Sequence, residues 1–195
     1  MALSPREITG VVLAGGRGRR MGGQDKGLVE VDGQPLISRI LEVFAPQVGQ
    51  IIINANRNHL RYRSFGYTLV ADDLEDYQGP LAGFAAAMGA ASTPFIITLP
   101  CDGPWLPTKY VSTMSDALEA HQAELVVAHD GGRLQPVYTL LPVSLRGSLL
   151  SFLAGGDRKI DLWFAKHKVA TADFSHCPEA FRNINTPEDR NRWQA

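Results

Sequence analysis

Apolar residues follow two alternating rhythms along the chain. Short, nearly continuous runs rich in Ile, Val and Leu give way to longer stretches in which apolar positions return every three to four residues. The first rhythm suits strands buried on both faces, and the second suits helices that cover a sheet. The pattern predicts strands at Ile8–Leu13, Gln50–Asn54, Thr68–Val70, Phe95–Leu99, Glu124–Ala128, Pro136–Leu140 and Lys168–Ala172. Helices are predicted at Leu36–Phe44, Pro80–Ala91, Thr108–His121, Val143–Leu153 and Lys159–Lys166. A last one, Pro187–Gln194, carries an N-terminal signature in Thr186, Pro187 and Asp189. Strands separated by such helices imply an α/β protein with three α/β/α layers around a mainly parallel sheet. Right-handed crossovers then align the strand carboxyl ends along one edge, where such sheets bind ligands.

Size and composition narrow the class. At 195 residues, with no internal repeat or linker, the chain reads as one domain. With 45% hydrophobic and 20% charged residues it is neither collagen, coiled coil nor bulk disorder. A net charge of −1 disfavours a general nucleic-acid surface. Two cysteines, Cys101 and Cys177, are too few for a disulfide framework and form no metal-binding pair. Neither a signal-peptide core nor an apolar run of about 18 residues occurs, so a cytoplasmic protein without a membrane partner is expected.

The candidate chemistry begins where the first strand ends. Leu13-Ala14-Gly15-Gly16 opens a loop holding five glycines and four cations between Gly15 and Lys26. Glycine lets backbone amides approach an oxyanion closely, arginine forks match phosphate oxygens in pairs, and lysine adds a mobile charge. The combination suits a nucleoside triphosphate. It is not a P-loop, since Lys26 is preceded by Asp25 and followed by Gly27, nor a dinucleotide fingerprint, since Met21 stands where the last glycine would fall.

The string Leu-Ala-Gly-Gly-x-x-x-Arg-Met-Gly-x-x-Asp-Lys resembles the signature of nucleotidyltransferases of the molybdenum-cofactor type, and within that group the molybdenum cofactor guanylyltransferases. The resemblance spans nearly the whole chain. It implies a Rossmann-like fold of the nucleotide-diphospho-sugar transferase type, with a nucleotide half at about 1–105 and an acceptor half at about 106–195. It also implies that Leu13, Ala14, Gly15, Gly16, Lys26, Asn54, Asp72 and Asp102 bind GTP, and that Arg20, Lys26 and Asp102 are catalytic. Asp102, at the end of the Phe95–Leu99 run, matches the family's magnesium ligand, so Mg2+ is the expected cofactor.

Residue chemistry runs alongside these implications. A carboxylate such as Asp72 can accept hydrogen bonds from guanine N1–H and its exocyclic amine, a pair absent from adenine and cytosine. Asn54 offers an amide to base or ribose, although either residue alone is equally a turn former. Gly79-Pro80-Leu81-Ala82-Gly83 starts a helix, and the resemblance places it beside the nucleotide. On the acceptor side, Asn183 and Asn185 alternate and would share one face of an extended segment, suiting a donor- and acceptor-rich heterocycle such as a pterin. Arg158 would meet the acceptor's phosphate. The five histidines show no ligand spacing, and His129–Gly132 reads as a turn.

The expected reaction joins GMP from GTP to the terminal phosphate of molybdopterin or Mo-molybdopterin and releases pyrophosphate. GTP and molybdopterin are thus the expected partners of a monomer that makes transient contacts with other molybdenum-cofactor proteins. The competing expectations are cytidylyl transfer to molybdopterin, nucleotidyl transfer to a sugar phosphate, and a non-catalytic nucleotide sensor or delivery protein.

Overall fold

The computed structural model describes residues 3–16, 24–73 and 79–184. The expected helix Pro187–Gln194 lies outside them. Strand β1 (Ile8–Leu13) is followed by the hairpin β2 (Glu30–Val31) and β3 (Gln34–Pro35), then α1 (Leu36–Phe44), β4 (Gln50–Asn54), α2 (His59–Arg63) and β5 (Thr68–Val70). The chain continues through α3 (Pro80–Ala90), β6 (Phe95–Pro100), α4 (Tyr110–His121), β7 (Leu125–His129) and β8 (Leu134–Pro142). It then forms α5 (Arg146–Ala154), α6 (Ile160–Phe164) and β9 (Val169–Asp173).

Seven strands form the main sheet in the order β5-β4-β1-β6-β8-β7-β9. Every neighbouring pair is parallel except those made by β8, which runs antiparallel to both β6 and β7. The seven residues between the predicted strands Glu124–Ala128 and Pro136–Leu140 are too few for a crossover, so the chain turns back on itself. One face is covered by α1, α2 and α4 through residues such as Ile40, Phe44, Tyr62, Tyr110 and Met114. The other is covered by α3, α5 and α6, including Phe84, Met88, Phe152 and Trp163. Because α3 sits between the sheet and α5, every residue from Leu81 to Met88 is buried, which explains its Ala- and Gly-rich sequence without a polar stripe. Among the described residues no helix is long and apolar enough to cross a membrane.

Beside the carboxyl ends of the parallel strands, β8 bulges. Its register on β7 passes from Val127↔Thr139 to Ala128↔Gln135, leaving Pro136, Val137 and Tyr138 outside the ladder. Its pairing with β6 runs from Phe95↔Pro142 to Ile97↔Leu140, and there Thr98 takes over with its side chain. The fully buried Thr98 hydroxyl donates to the Val137 carbonyl at 2.6 Å and accepts from the Thr139 amide at 3.3 Å. The bulge redirects Gln135 and Tyr138, as bulges beside ligand sites commonly do.

The predicted strands at 8–13, 50–54 and 68–70 match the observed limits, and β6 to β9 differ by one or two residues at their ends. The predicted helix at 143–153 begins as a 3-10 turn at Val143–Leu145 before α5, and the one at 159–166 shortens to α6. Sequence pattern did not reveal α2, which is five residues long, or the two-residue strands β2 and β3. Periodicity needs more positions than these provide, although Asp32-Gly33, both at positive φ, carries a hairpin turn signal.

Candidate active site

From β1 the chain crosses to β4 on one side, and β6 lies on the other, so the crevice between the ends of β1 and β6 is a topological switch point. Two side chains meet across it. Lys26 opens a 3-10 turn, Lys26–Leu28, and its Nζ lies 2.8 Å from Asp102 Oδ2. Asp102 directly follows Cys101, whose amide donates to the Leu13 carbonyl and carries the β1–β6 ladder beyond the sheet. The Asp102 side chain is nine-tenths buried, whereas that of Lys26 remains a quarter exposed. Oδ1 of Asp102 is buried with no hydrogen-bond partner among the described residues. A hard carboxylate oxygen at this position fits a divalent cation that takes its other ligands from phosphate and water. No cluster of three or more His, Cys, Asp or Glu donors occurs among the described residues.

Lys26 is aimed by its neighbour. Asp25 is buried, and its Oδ1 accepts a short hydrogen bond from the Tyr62 hydroxyl. Its Oδ2 accepts from Asn58 Nδ2 at 3.0 Å and lies 3.6 Å from Arg57 Nε. Burial pushes the Tyr62 phenol far above its ordinary pKa and keeps it a donor. A small apolar cluster of Val29, Val31, Leu36 and Ile184 packs just beyond the turn. The Ile184 amide also donates to the Asp102 carbonyl at 2.8 Å, tying both sides of the crevice to the carboxyl-terminal segment. Burial, with the Asp102 and Asp25 charges behind it, raises the Cys101 thiol well above its ordinary pKa, so it stays neutral and unreactive.

A second polar constellation lines the β4 side. Asp72 Oδ1 accepts from Asn54 Nδ2 at 2.9 Å, and Oδ2 accepts from Asn56 Nδ2 at 2.7 Å. The Asp72 amide donates back to Asn56 Oδ1 at 2.8 Å, and Asn56 Nδ2 also reaches the Gly15 carbonyl at 3.4 Å. Both Asp72 oxygens thus carry protein hydrogen bonds already, so any ligand donor must use a remaining lone pair. Ala14 and Ala55 extend the ladder into the site by donating to the Asn54 and Val70 carbonyls.

Two glycines allow this close approach. A Cβ on Gly15 would lie 2.9 Å from Asn56 Nδ2, whereas one on Gly16 would meet no described atom within 4 Å. On α3, a Cβ at Gly83 would lie 2.5 Å from Asn54 Oδ1 and 2.7 Å from Leu13 Cδ2. Gly83→Ala should therefore lose its helix-propensity gain of about 1 kcal/mol to a clash of about 1–3 kcal/mol. We expect weaker nucleotide binding by calorimetry together with lower stability; unchanged binding would mean that the asparagine tolerates displacement.

On the far side of β6, Asn183 approaches Gly103. A Cβ on Gly103 would overlap the Tyr138 hydroxyl and lie 3.4 Å from Asn183 Oδ1. The Tyr138 hydroxyl is buried without a hydrogen-bond partner among the described residues, and burial, then the Asp102 charge, raises its pKa far above the ordinary range. Arg158 is placed differently from Asn183. Its Nη1 donates to the Leu153 and Asp157 carbonyls at 2.6 and 2.7 Å, holding it at the end of α5 on the opposite sheet face. The remaining expected site residues, Arg20 and Asn185, lie outside the described residues.

The model of the MobA-like NTP transferase domain matches residues 10–170, which include the turn, both carboxylates and both asparagines. The chain belongs to this family. A molybdenum cofactor guanylyltransferase of Shewanella loihica is 51% identical over 188 residues, covering 96% of this chain and 95% of its own. Among solved structures, molybdopterin-guanine dinucleotide biosynthesis protein A of Archaeoglobus fulgidus shares 21% identity with a TM-score of 0.79, covering 95% of this chain and 96% of its own. A 4-diphosphocytidyl-2C-methyl-D-erythritol synthase of Anaerococcus prevotii shares 12% identity with a TM-score of 0.77, covering 97% of this chain and 95% of its own. These two structural likenesses establish the fold alone.

Within this MobA-like NTP transferase domain, sequence reasoning overlooked four participants. Asn56 carried a signal, since Asn54 and Asn56 stand two apart at a strand exit and therefore project to one side. Asp25 stood beside the chosen lysine but read as part of the motif. Nothing local marked Tyr62 or Tyr138, because Tyr62's partner Asp25 lies 37 residues away and Asp102, whose charge acts on Tyr138, lies 36 away.

Proposed function

We propose that this protein transfers GMP from GTP to the terminal phosphate of molybdopterin or its molybdenum form, with release of pyrophosphate. The reading is carried by the 2.8 Å approach of Lys26 and Asp102 across the β1–β6 crevice, with a buried carboxylate oxygen left over. Family membership and the half-identical Shewanella guanylyltransferase support the same activity. The assignment treats the chain as one domain, with the nucleotide over β1, β4 and β5 and the acceptor over β8, β7 and β9.

In this proposal, Leu13 to Gly16 present backbone to the triphosphate, while Asn54 and Asp72 hold the base and ribose end. Mg2+ bound to Asp102 would neutralise phosphate charge. An ionised oxygen of the acceptor phosphate attacks the α-phosphorus; its new P–O bond forms as the α–β bridge breaks and pyrophosphate departs. No side chain needs to remove a proton, so the residues act by alignment and charge. Lys26 leaves its resting contact with Asp102 for the phosphate oxygens, joined by Arg20. Asn183, Asn185 and Arg158 are assigned to the acceptor; Arg158 must first release the α5 carbonyls.

The test is magnesium-dependent pyrophosphate release from GTP with molybdopterin as acceptor, and with CTP as competitor. Release that requires both substrates and prefers GTP is expected. A clear CTP preference replaces guanylyl with cytidylyl transfer, and no release from folded protein overturns the enzymatic reading.

A further inference from the structure

Beyond Asn183 the crevice widens into a cavity of about 500 Å³, within the usual range of small-molecule sites. Its walls include Asp130, Arg133 and Gln135 from the β7–β8 hairpin, and Phe181, Arg182 and Asn183 from the carboxyl-terminal segment. The hairpin tip is fixed from within. Asp130 Oδ1 accepts from the Gly132 and Arg133 amides at 2.8 Å each, and Oδ2 accepts from Gln135 Nε2 at 2.6 Å. These hydrogen bonds, chiefly the two from the backbone, hold the Asp130 carboxyl below its usual pKa and keep it ionised.

Gln135 is nine-tenths buried on the cavity wall. Its amide nitrogen is taken by Asp130, and its Oε1 accepts no hydrogen bond from a described residue. An amide oxygen held in place on the wall of a polar cavity can accept a hydrogen bond from a ligand donor. The exposed Arg133 and Arg182 guanidinium groups lie within 4 Å of no carboxylate among the described residues, although the Arg133 charge helps keep Asp130 ionised, so the cavity presents two cations, one carboxylate and a fixed acceptor.

We propose that this cavity receives the end of the acceptor remote from its reacting phosphate, with Gln135 reading a ring N–H or amino edge and Arg133 and Arg182 facing an anionic metal–sulfur or thiolate group. The inference rests on the proposed guanylyl transfer and adds to it the residues that select the acceptor. The geometry gives the direction: a nucleotide over β1 and β4 leaves β8 and β7 for the other substrate. Asn183 borders both the cavity and Gly103, so the cavity starts beside the metal-binding carboxylate. A pterin's aminopyrimidinone edge supplies the donors that Gln135 lacks, and dithiolene sulfurs supply negative charge for the arginines.

The experiment pairs the double variant Arg133→Ala/Arg182→Ala with Gln135→Leu, each in the full chain. GTP affinity is measured by calorimetry with Mg2+, KM is measured for each substrate, and 6-hydroxymethylpterin serves as a fluorescent binding probe. The double variant should raise KM for molybdopterin roughly 10- to 100-fold while leaving GTP affinity within about twofold. Gln135→Leu should abolish saturable quenching of the pterin probe with GTP affinity retained. An unchanged molybdopterin KM, or a parallel loss for GTP, overturns the cavity assignment while transfer itself stands. Wild-type protein that binds neither GTP nor molybdopterin overturns the proposed function, and the cavity assignment with it.

Discussion

Asp102→Asn should lower turnover by roughly 10²–10³-fold, the scale of losing one preorganised electrostatic contact in a phosphate-transfer site. The protein should nevertheless remain as stable as the parent to within about 1 kcal/mol, because the carboxylate's Coulombic gain is offset by its burial and its partner Lys26 is partly solvated. One buried oxygen has no hydrogen-bond partner among the described residues, so its contacts with them give the carboxylate little hold on the resting fold. The substitution preserves shape, removes the charge and weakens the hold on a divalent cation. Pyrophosphate release, thermal unfolding and a magnesium titration of the rate separate these effects. Wild-type turnover at saturating magnesium would remove Asp102 from the mechanism.

Asp25→Ala should have the opposite profile, damaging the fold first and the rate through it. Truncation leaves the Tyr62 hydroxyl buried without an acceptor and strips Asn58 and Arg57 of their shared partner. The cost should be about 2–4 kcal/mol in a denaturant titration. The turn that aims Lys26 loses its anchor, so kcat should fall at least roughly 10-fold even well below the unfolding transition. Tyr62→Phe keeps the carboxylate and should show a smaller loss of both. A variant with reduced stability but normal kcat would confine Asp25 to a structural role.

The placement of the expected nucleotide-side residues was legible in sequence because it is set locally. Gly15, Lys26, Asn54, Asp72 and Asp102 each lie at or just beyond a strand end or in the loop that leaves it, and periodicity located the strands. Those strand ends put Lys26 and Asp102 on one sheet edge, and there the two side chains meet. What escaped was set by distant packing. Asp25 acquires its role only when Tyr62 folds over it, and Asp72 meets its two amides only when β4 and β5 pair. The acceptor side was harder still, because no pattern announces a bulge that sends Tyr138 and Gln135 out of register. Arg158 was chosen for its charge, yet the α5 carbonyls hold it in the resting protein.

The reversed direction of β8 bears on how the chain assembles. The β7–β8 hairpin joins neighbouring segments, so its loop closes at small entropic cost and can form within microseconds. The first strand completes its pairing far later, since its β6 side joins Ile8 to Phe95 and cannot form during synthesis until that residue has left the ribosome, although its β4 side can pair earlier. The carboxyl-terminal half can thus nucleate by itself, whereas the amino-terminal half, although made first, depends on late long-range pairing. Destabilising changes in β1 should consequently slow refolding more than equivalent changes in the hairpin.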